Sequence, residues 1–123
     1  MNRIRVVVAD QAEAIFYDIT SLKARPVEVA RLADPDARQY SPGPTVQARN
    51  FARAIAENLD AARRSRQFQQ LIVVASAPFR SLMRAEFSDA TKAAVVYEVP
   101  KDLVHSHVEV LSDYLPTSAQ ELK

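Results

Sequence analysis

Carboxylates and arginines are the residues of this chain whose types and spacing could do chemistry. Asp10 closes the apolar run Ile4 to Ala9, and Glu57 lies in the middle of a long helical pattern. Several such carboxylates could hold two metal ions about 3.5–4 Å apart, as phosphodiester cleavage requires. Asp10 and Glu57 are therefore the candidate acidic site of a metal-dependent nuclease. A further carboxylate would be expected where the run Leu71–Ala75 ends, but Ala75 and Ser76 stand there. As a plain turn residue, Asp10 would instead hydrogen-bond the backbone around it. No catalytic residue and no metal site are assigned. His105 and His107 are the only histidines, and an i, i+2 pair on a helix points apart. Ser76 and Ser81 have no visible base and no G-x-S-x-G elbow. No cofactor is expected either, because glycine-rich phosphate loops need at least two glycines and Gly43 is the only one.

The cations point to binding. Arg63, Arg64 and Arg66 crowd the end of the long helix, and Arg80 and Arg84 lie four residues apart on the next one. These arginines could line a phosphate-binding surface. A solvated face that complements the helix dipole explains them as well. Ahead of the long helix runs Asp34 to Pro44, DPDARQYSPGP, with three prolines and the single glycine. A loop of that length inside a small domain is often functional. Tyr40, Gly43 and Thr45, followed by Gln47, Arg49 and Arg53 at the helix entry, form the candidate contact surface. Thr45 also suits a helix cap.

Composition narrows the classes. A chain of 123 residues builds one ordinary core, and 48% apolar with 25% charged residues is a globular balance. Sixteen basic against fifteen acidic side chains leave a net charge of +1, without the basic excess of a dedicated nucleic-acid binder. Cysteine is absent, which removes disulfides, thiol nucleophiles and thiolate metal sites. The stretch Val6-Val7-Val8-Ala9 is far too short for a signal peptide or a membrane span. Cytoplasmic residence without membrane association is the expectation.

The elements that must position these residues follow from periodicity. Ile4–Ala9 and Leu71–Ala75 are continuous apolar runs, so both read as central strands buried on two faces. Glu13–Thr20 alternates and should pair with the first run as an antiparallel hairpin. Pro26–Ala33 alternates Val27, Val29 and Arg31 against Glu28, Ala30 and Leu32, the mixture of an edge strand. Phe51, Ile55, Leu59 and Ala62 mark the long helix, and Phe79, Leu82, Met83 and Phe87 mark the next. Ala93–Val99 is a fifth strand, and a last helix covers about Ser106–Leu115. The order β-β-β-α-β-α-β-α implies an α/β mixed five-stranded sheet, order 3-2-1-4-5, with helices on both faces. That is the ribonuclease H-like architecture. The whole chain, 1–123, reads as a single domain whose tail, 116–123, should fray. The edges Pro26–Ala33 and Ala93–Val99 could pair two copies into a homodimer.

Four segments in order, VVVADQAEAIFY, NFARAIAENL, QLIVVASAPFRSLMRAEF and YEVPKDL before a terminal helix, resemble the bacterial host-attachment protein family. Its pattern is an AD-x-x-x-A-x-(I/L)-F opening, an (R)FA-x-x-(I/L)-A-x-x-L helix, an LV(L/I)VA-x-P strand–turn and a late KDL. Glycines often found after the opening Asp and in the AP-x-x-L-G segment are replaced here. That family is in turn similar to the middle domain of eukaryotic and archaeal class-I peptide-release factors, where a GGQ loop precedes the long helix. Gly43-Pro44-Thr45 occupies that neighbourhood in this chain, and Pro44 fixes its own φ and lacks an amide donor. The resemblance implies a release-factor scaffold without the catalytic loop. Its implied role is a cytoplasmic, non-catalytic interaction domain that meets an unknown protein partner through the loop Asp34–Thr45. A ribosome- or RNA-associated factor using arginine-lined surfaces is the alternative.

Overall fold

The computed structural model describes residues 3–34 and 44–123. Three strands come first, β1 (Ile4–Ala9), β2 (Glu13–Ile19) and β3 (Val27–Ala33). The helix α1 (Pro44–Arg64) leads into β4 (Gln70–Val74), α2 (Ala77–Glu86) and a short α3 (Asp89–Ala94). β5 (Val95–Val99), α4 (Val108–Tyr114) and a 3-10 turn at Ala119–Glu121 complete the chain. The strands form one sheet in the order β3-β2-β1-β4-β5. β1 pairs antiparallel with β2 and parallel with β4, and β4 pairs parallel with β5. This is the mixed sheet and the strand order that the apolar runs predict.

α3 is an addition to the expected order. Ser88 caps it, its hydroxyl accepting the Thr91 N–H at 3.2 Å. Ala93 and Ala94, expected to open the fifth strand, instead finish this helix, as alanine's helix preference favours.

Every side chain of β1 is buried. Val7 and Ala9 point with Phe16 toward α1 and α2, while Val6 and Val8 point with Ile15 toward α4. The sheet therefore carries two cores, one on each face. On the first, Phe51 of α1 stacks against Phe79 of α2 with ring centroids 6.3 Å apart, joining the two helices above the sheet. On the second, Leu103, Val104, Leu111 and Leu115 close over Ile72 and Val74. No helix among the described residues is long and apolar enough to cross a membrane.

Two β-bulges reset the alternation that the sequence suggests. Phe16 pairs with Ala30 but Tyr17 pairs with Glu28, so Val29 is an extra residue in β3. Val27, Ala30 and Leu32 consequently share one face, and Glu28 and Arg31 meet on the other at 2.8 Å. In β5, Leu71 pairs with Val95 and Ile72 with Tyr97, which leaves Val96 as the extra residue. Beyond it the strand is turned over, and Glu98 lies opposite Val73 on the α2 face. The Val96 carbonyl accepts the backbone N–H of Lys123 at 2.9 Å. The last residue of the segment after Pro116 thus meets the outer edge of β5. α1 ends with Arg66 in the left-handed region, φ 61°, and the Gln67 N–H donates to the Ala62 carbonyl at 3.0 Å. A Schellman turn is closed there without a glycine.

One charge is buried at the sheet centre. Arg5 of β1 is 4% exposed and directly opposite Asp18. Its Nε and Nη2 donate to the two Asp18 oxygens at 2.8 and 3.1 Å, and its guanidinium lies 5.3 Å from the Phe68 ring centroid. Removing one partner of such a pair strands the other away from water. Asp18→Ala is expected to cost about 3 kcal/mol, read in urea unfolding as a lower midpoint with an unchanged slope.

Candidate functional site

The charged residues that converge most closely lie where α2, α3 and β5 meet. Pro78 opens the first turn of α2, where its missing N–H costs nothing, and Phe79, Met83 and Phe87 are buried beneath the helix. Arg80 and Arg84, four residues apart, stack along one flank. The bulge at Val96 brings Glu98 up to meet them. Arg80 Nε lies 3.3 Å from Glu98 Oε1, and Arg84 Nη2 donates to the same oxygen. Lys123 Nζ donates to Glu98 Oε2 at 2.9 Å. Burial pushes the Glu98 carboxyl up, but the hydrogen bonds from Lys123 and Arg84 outweigh it and hold it below its ordinary value. A cavity of about 270 Å³ opens beside this carboxylate, lined also by Lys92, Val73, Phe87 and Val95. Sequence periodicity finds Arg80 and Arg84. It misses Glu98, Lys92 and Lys123, because the facing of Glu98 depends on the bulge.

The entry of α1 has a structural role. Gln47 is 4% exposed. Its Nε2 donates to the Gln11 carbonyl and to Asp34 Oδ2, both at 2.7 Å. The side chain thereby ties the first turns of the helix to the β1–β2 turn and to the end of β3. Thr45, exposed, lies inside the first turn rather than at a cap. Tyr40 and Gly43 fall outside the described residues. Arg49 is exposed, and Arg53 reaches across to Glu86 of α2 at 3.0 Å.

Asp10 and Glu57 are not brought together. Asp10 Oδ1 accepts the N–H groups of Ala12 and Glu13, each at 2.8 Å, as a turn aspartate does. Glu57 is exposed, ten residues and so about 15 Å along the axis from Gln47. Among the described residues no group of three His, Cys, Asp or Glu side chains could hold a metal ion.

At the far end of α1, the expected arginine cluster is divided. Asp60 takes Arg63 at 2.7 Å and Arg64 at 3.6 Å. It also accepts the hydroxyls of Ser88 at 2.8 Å and Thr91 at 3.3 Å. The hydrogen bonds from Arg63 and then Ser88 lower its pKa to about 2. This network docks α1 on α3. On the opposite side of the sheet, Arg25 donates to Glu109 at 2.8 Å and His107 Nδ1 contacts the same carboxylate. The Arg25 hydrogen bond leads in lowering the pKa of Glu109 to about 2.

The fold and the site can now be set beside known proteins. The chain superposes on a solved archaeal protein with a TM-score of 0.54 and 12% identity, over 90% of this chain and 35% of that one. It also superposes on an archaeal translation termination factor with a TM-score of 0.50 and 12% identity, over 90% of this chain and 36% of the factor. It thus spans about a third of those structures, and the likeness at this identity is one of fold. The family described as "Protein required for attachment to host cells" matches residues 44–115, which hold α1 to α4 and the whole Arg80–Arg84–Glu98 cluster. The chain belongs to that family. No curated protein matches it.

Two outcomes follow from the site's hydrogen bonds. Gln47→Ala should destabilise the protein by about 1–2 kcal/mol, measured by urea unfolding, because two hydrogen bonds from a buried amide are lost. Asp60 has a folded pKa below its ordinary 3.8, so its contribution is complete above that value and is lost as pH falls toward 2. Asp60→Asn should therefore flatten the part of the acid-unfolding curve between about pH 4 and pH 2.

Proposed function

We propose that this chain is an interaction domain of the host-attachment family that works in the cytoplasm by binding a partner, without chemistry of its own. The observation that carries this reading is the convergence of Arg80, Arg84, Lys92 and Lys123 around the single carboxylate Glu98. Such an excess of one sign recognises opposite charge. Several other carboxylates near arginines join one element to another instead: Asp60 between α1 and α3, Glu86 between α2 and α1, and Glu109 between α4 and the β2–β3 connection. The absence of cysteine suits a reducing compartment.

The partner favoured is a protein with an acidic surface that meets α2, β5 and the entry of α1, including Thr45, Arg49 and the segment 35–44. Association with the ribosome or another RNA through Arg80, Arg84 and Arg53 is the second reading, supported by the same cations and by the fold shared with a termination factor.

A crosslinked pull-down from the native cells, comparing wild type with Arg80→Ala/Arg84→Ala, tests the first reading. Partner recovery should fall at least tenfold, as the loss of two charge-assisted contacts implies, and recovery equal to wild type would refute it. Sedimentation with ribosomes at low and high salt tests the second: binding should be present at low salt and lost at high salt. Failure to sediment at low salt removes that reading.

A further inference from the structure

We propose that the cavity between α2, α3 and β5 is a binding site for a small phosphomonoester, with Glu98 as the internal stand-in for its phosphoryl group. The cavity is a different use of the same corner from macromolecular docking, and it stands or falls independently of either partner.

The charge balance leads the argument. Four cations and one carboxylate line the cavity, a net charge of +3 in a chain whose overall charge is +1. Glu98 is only 14% exposed, and three of the cations converge on its two oxygens. A single carboxylate leaves these donors under-used, since each guanidinium presents five N–H groups and the ammonium three. A phosphomonoester carries three terminal acceptor oxygens and close to two negative charges. It matches two stacked arginines and flanking lysines better than a carboxylate does.

Shape sets the rest of the ligand. Below the cationic rim lie Val73, Phe87 and Val95, so an apolar or aromatic body can follow the anionic end inward. The volume of about 270 Å³ sits just under the usual range of about 300–1,000 Å³ for small-molecule sites. A mononucleotide-sized molecule fits and a dinucleotide does not. A nucleic-acid strand would need cations continuing along a groove. Here the neighbouring arginines are engaged elsewhere, Arg63 and Arg64 by Asp60 and Arg53 by Glu86. A discrete small ligand is the better fit.

Glu98 then acts as a counter-ion. With the cavity empty it holds Arg80, Arg84 and Lys123 together; an entering phosphoryl group takes over those donors. Removing its charge while keeping its shape should strengthen anion binding. A carboxylate that merely braced the arginines would behave in the opposite way.

Calorimetric titration of the full chain with adenosine monophosphate, inorganic phosphate, adenosine and a ten-nucleotide single-stranded RNA tests this. Adenosine monophosphate should bind saturably, inorganic phosphate more weakly, and adenosine not at all. Binding should weaken as salt rises. Glu98→Gln should tighten the adenosine monophosphate complex about tenfold, and Arg84→Ala should weaken it by about tenfold or more. If Arg84→Ala does not fold, Arg84→Lys carries the test, because it keeps the charge and loses the planar fork; a measurable weakening is expected there too. The proposal is overturned if neither wild type nor Glu98→Gln binds adenosine monophosphate at roughly 10 mM, where even a weak site would be occupied. It is equally overturned if Glu98→Gln weakens binding, if the arginine variants bind as wild type does, or if the RNA binds while the mononucleotide does not.

Discussion

Burial of β1 on both faces is the constraint from which the rest of this structure follows. A strand with six buried residues needs a packed layer above and below it, so the helices must divide between the two sides of the sheet. It also needs a hydrogen-bonded strand on either edge, and β2 and β4 supply them. Because β4 runs parallel to β1, the chain must cross over the sheet to reach it, and α1 is that crossing. Among the described residues Arg5 is the one buried charge, and it persists because Asp18, Gln67 and the Phe68 ring surround it. Its neighbours are set by strand register, so the pair works as a check on alignment as well as a source of stability.

Much of this architecture is legible in the sequence, and for a physical reason. Strands buried on two faces appear as unbroken apolar runs, and amphipathic helices appear as stripes, so β1, β4, α1 and α2 announce themselves. The four family segments fall on the same elements, and the family match over residues 44–115 bears out the resemblance they suggest. The bulges at Val29 and Val96 are not legible, because an extra residue in a strand leaves no mark of composition. Everything that depends on them is hidden as well, including the Glu28–Arg31 pair and the turn of Glu98 toward α2. Gln47 is a separate case. The sequence offers it as a contact residue at the helix entry, and in the fold its amide joins three segments there.

Electrostatics here is local. The chain is almost neutral, yet its charges are far from evenly matched. Asp60 answers two arginines, Glu109 answers Arg25 and a histidine, and Glu86 answers Arg53. These pairs pin elements to one another, while the corner formed by α2, α3 and β5 holds four cations against one carboxylate. Overall charge thus conceals a region that net counting would dismiss, and the fold decides where the excess collects.

The Val96 bulge has a bearing on how such a domain can change. Side chains on a strand keep a phase of two, and one added residue advances that phase by half a cycle for everything after it. Pairing Val96 regularly with Ile72, without the bulge, would put Tyr97 opposite Val73 and send Glu98 to the other face, with every residue of the strand still present. The charged corner would vanish through a change of register alone. Shifts of register between β4 and β5, more than substitutions, are therefore the events that would create or erase this corner among related chains.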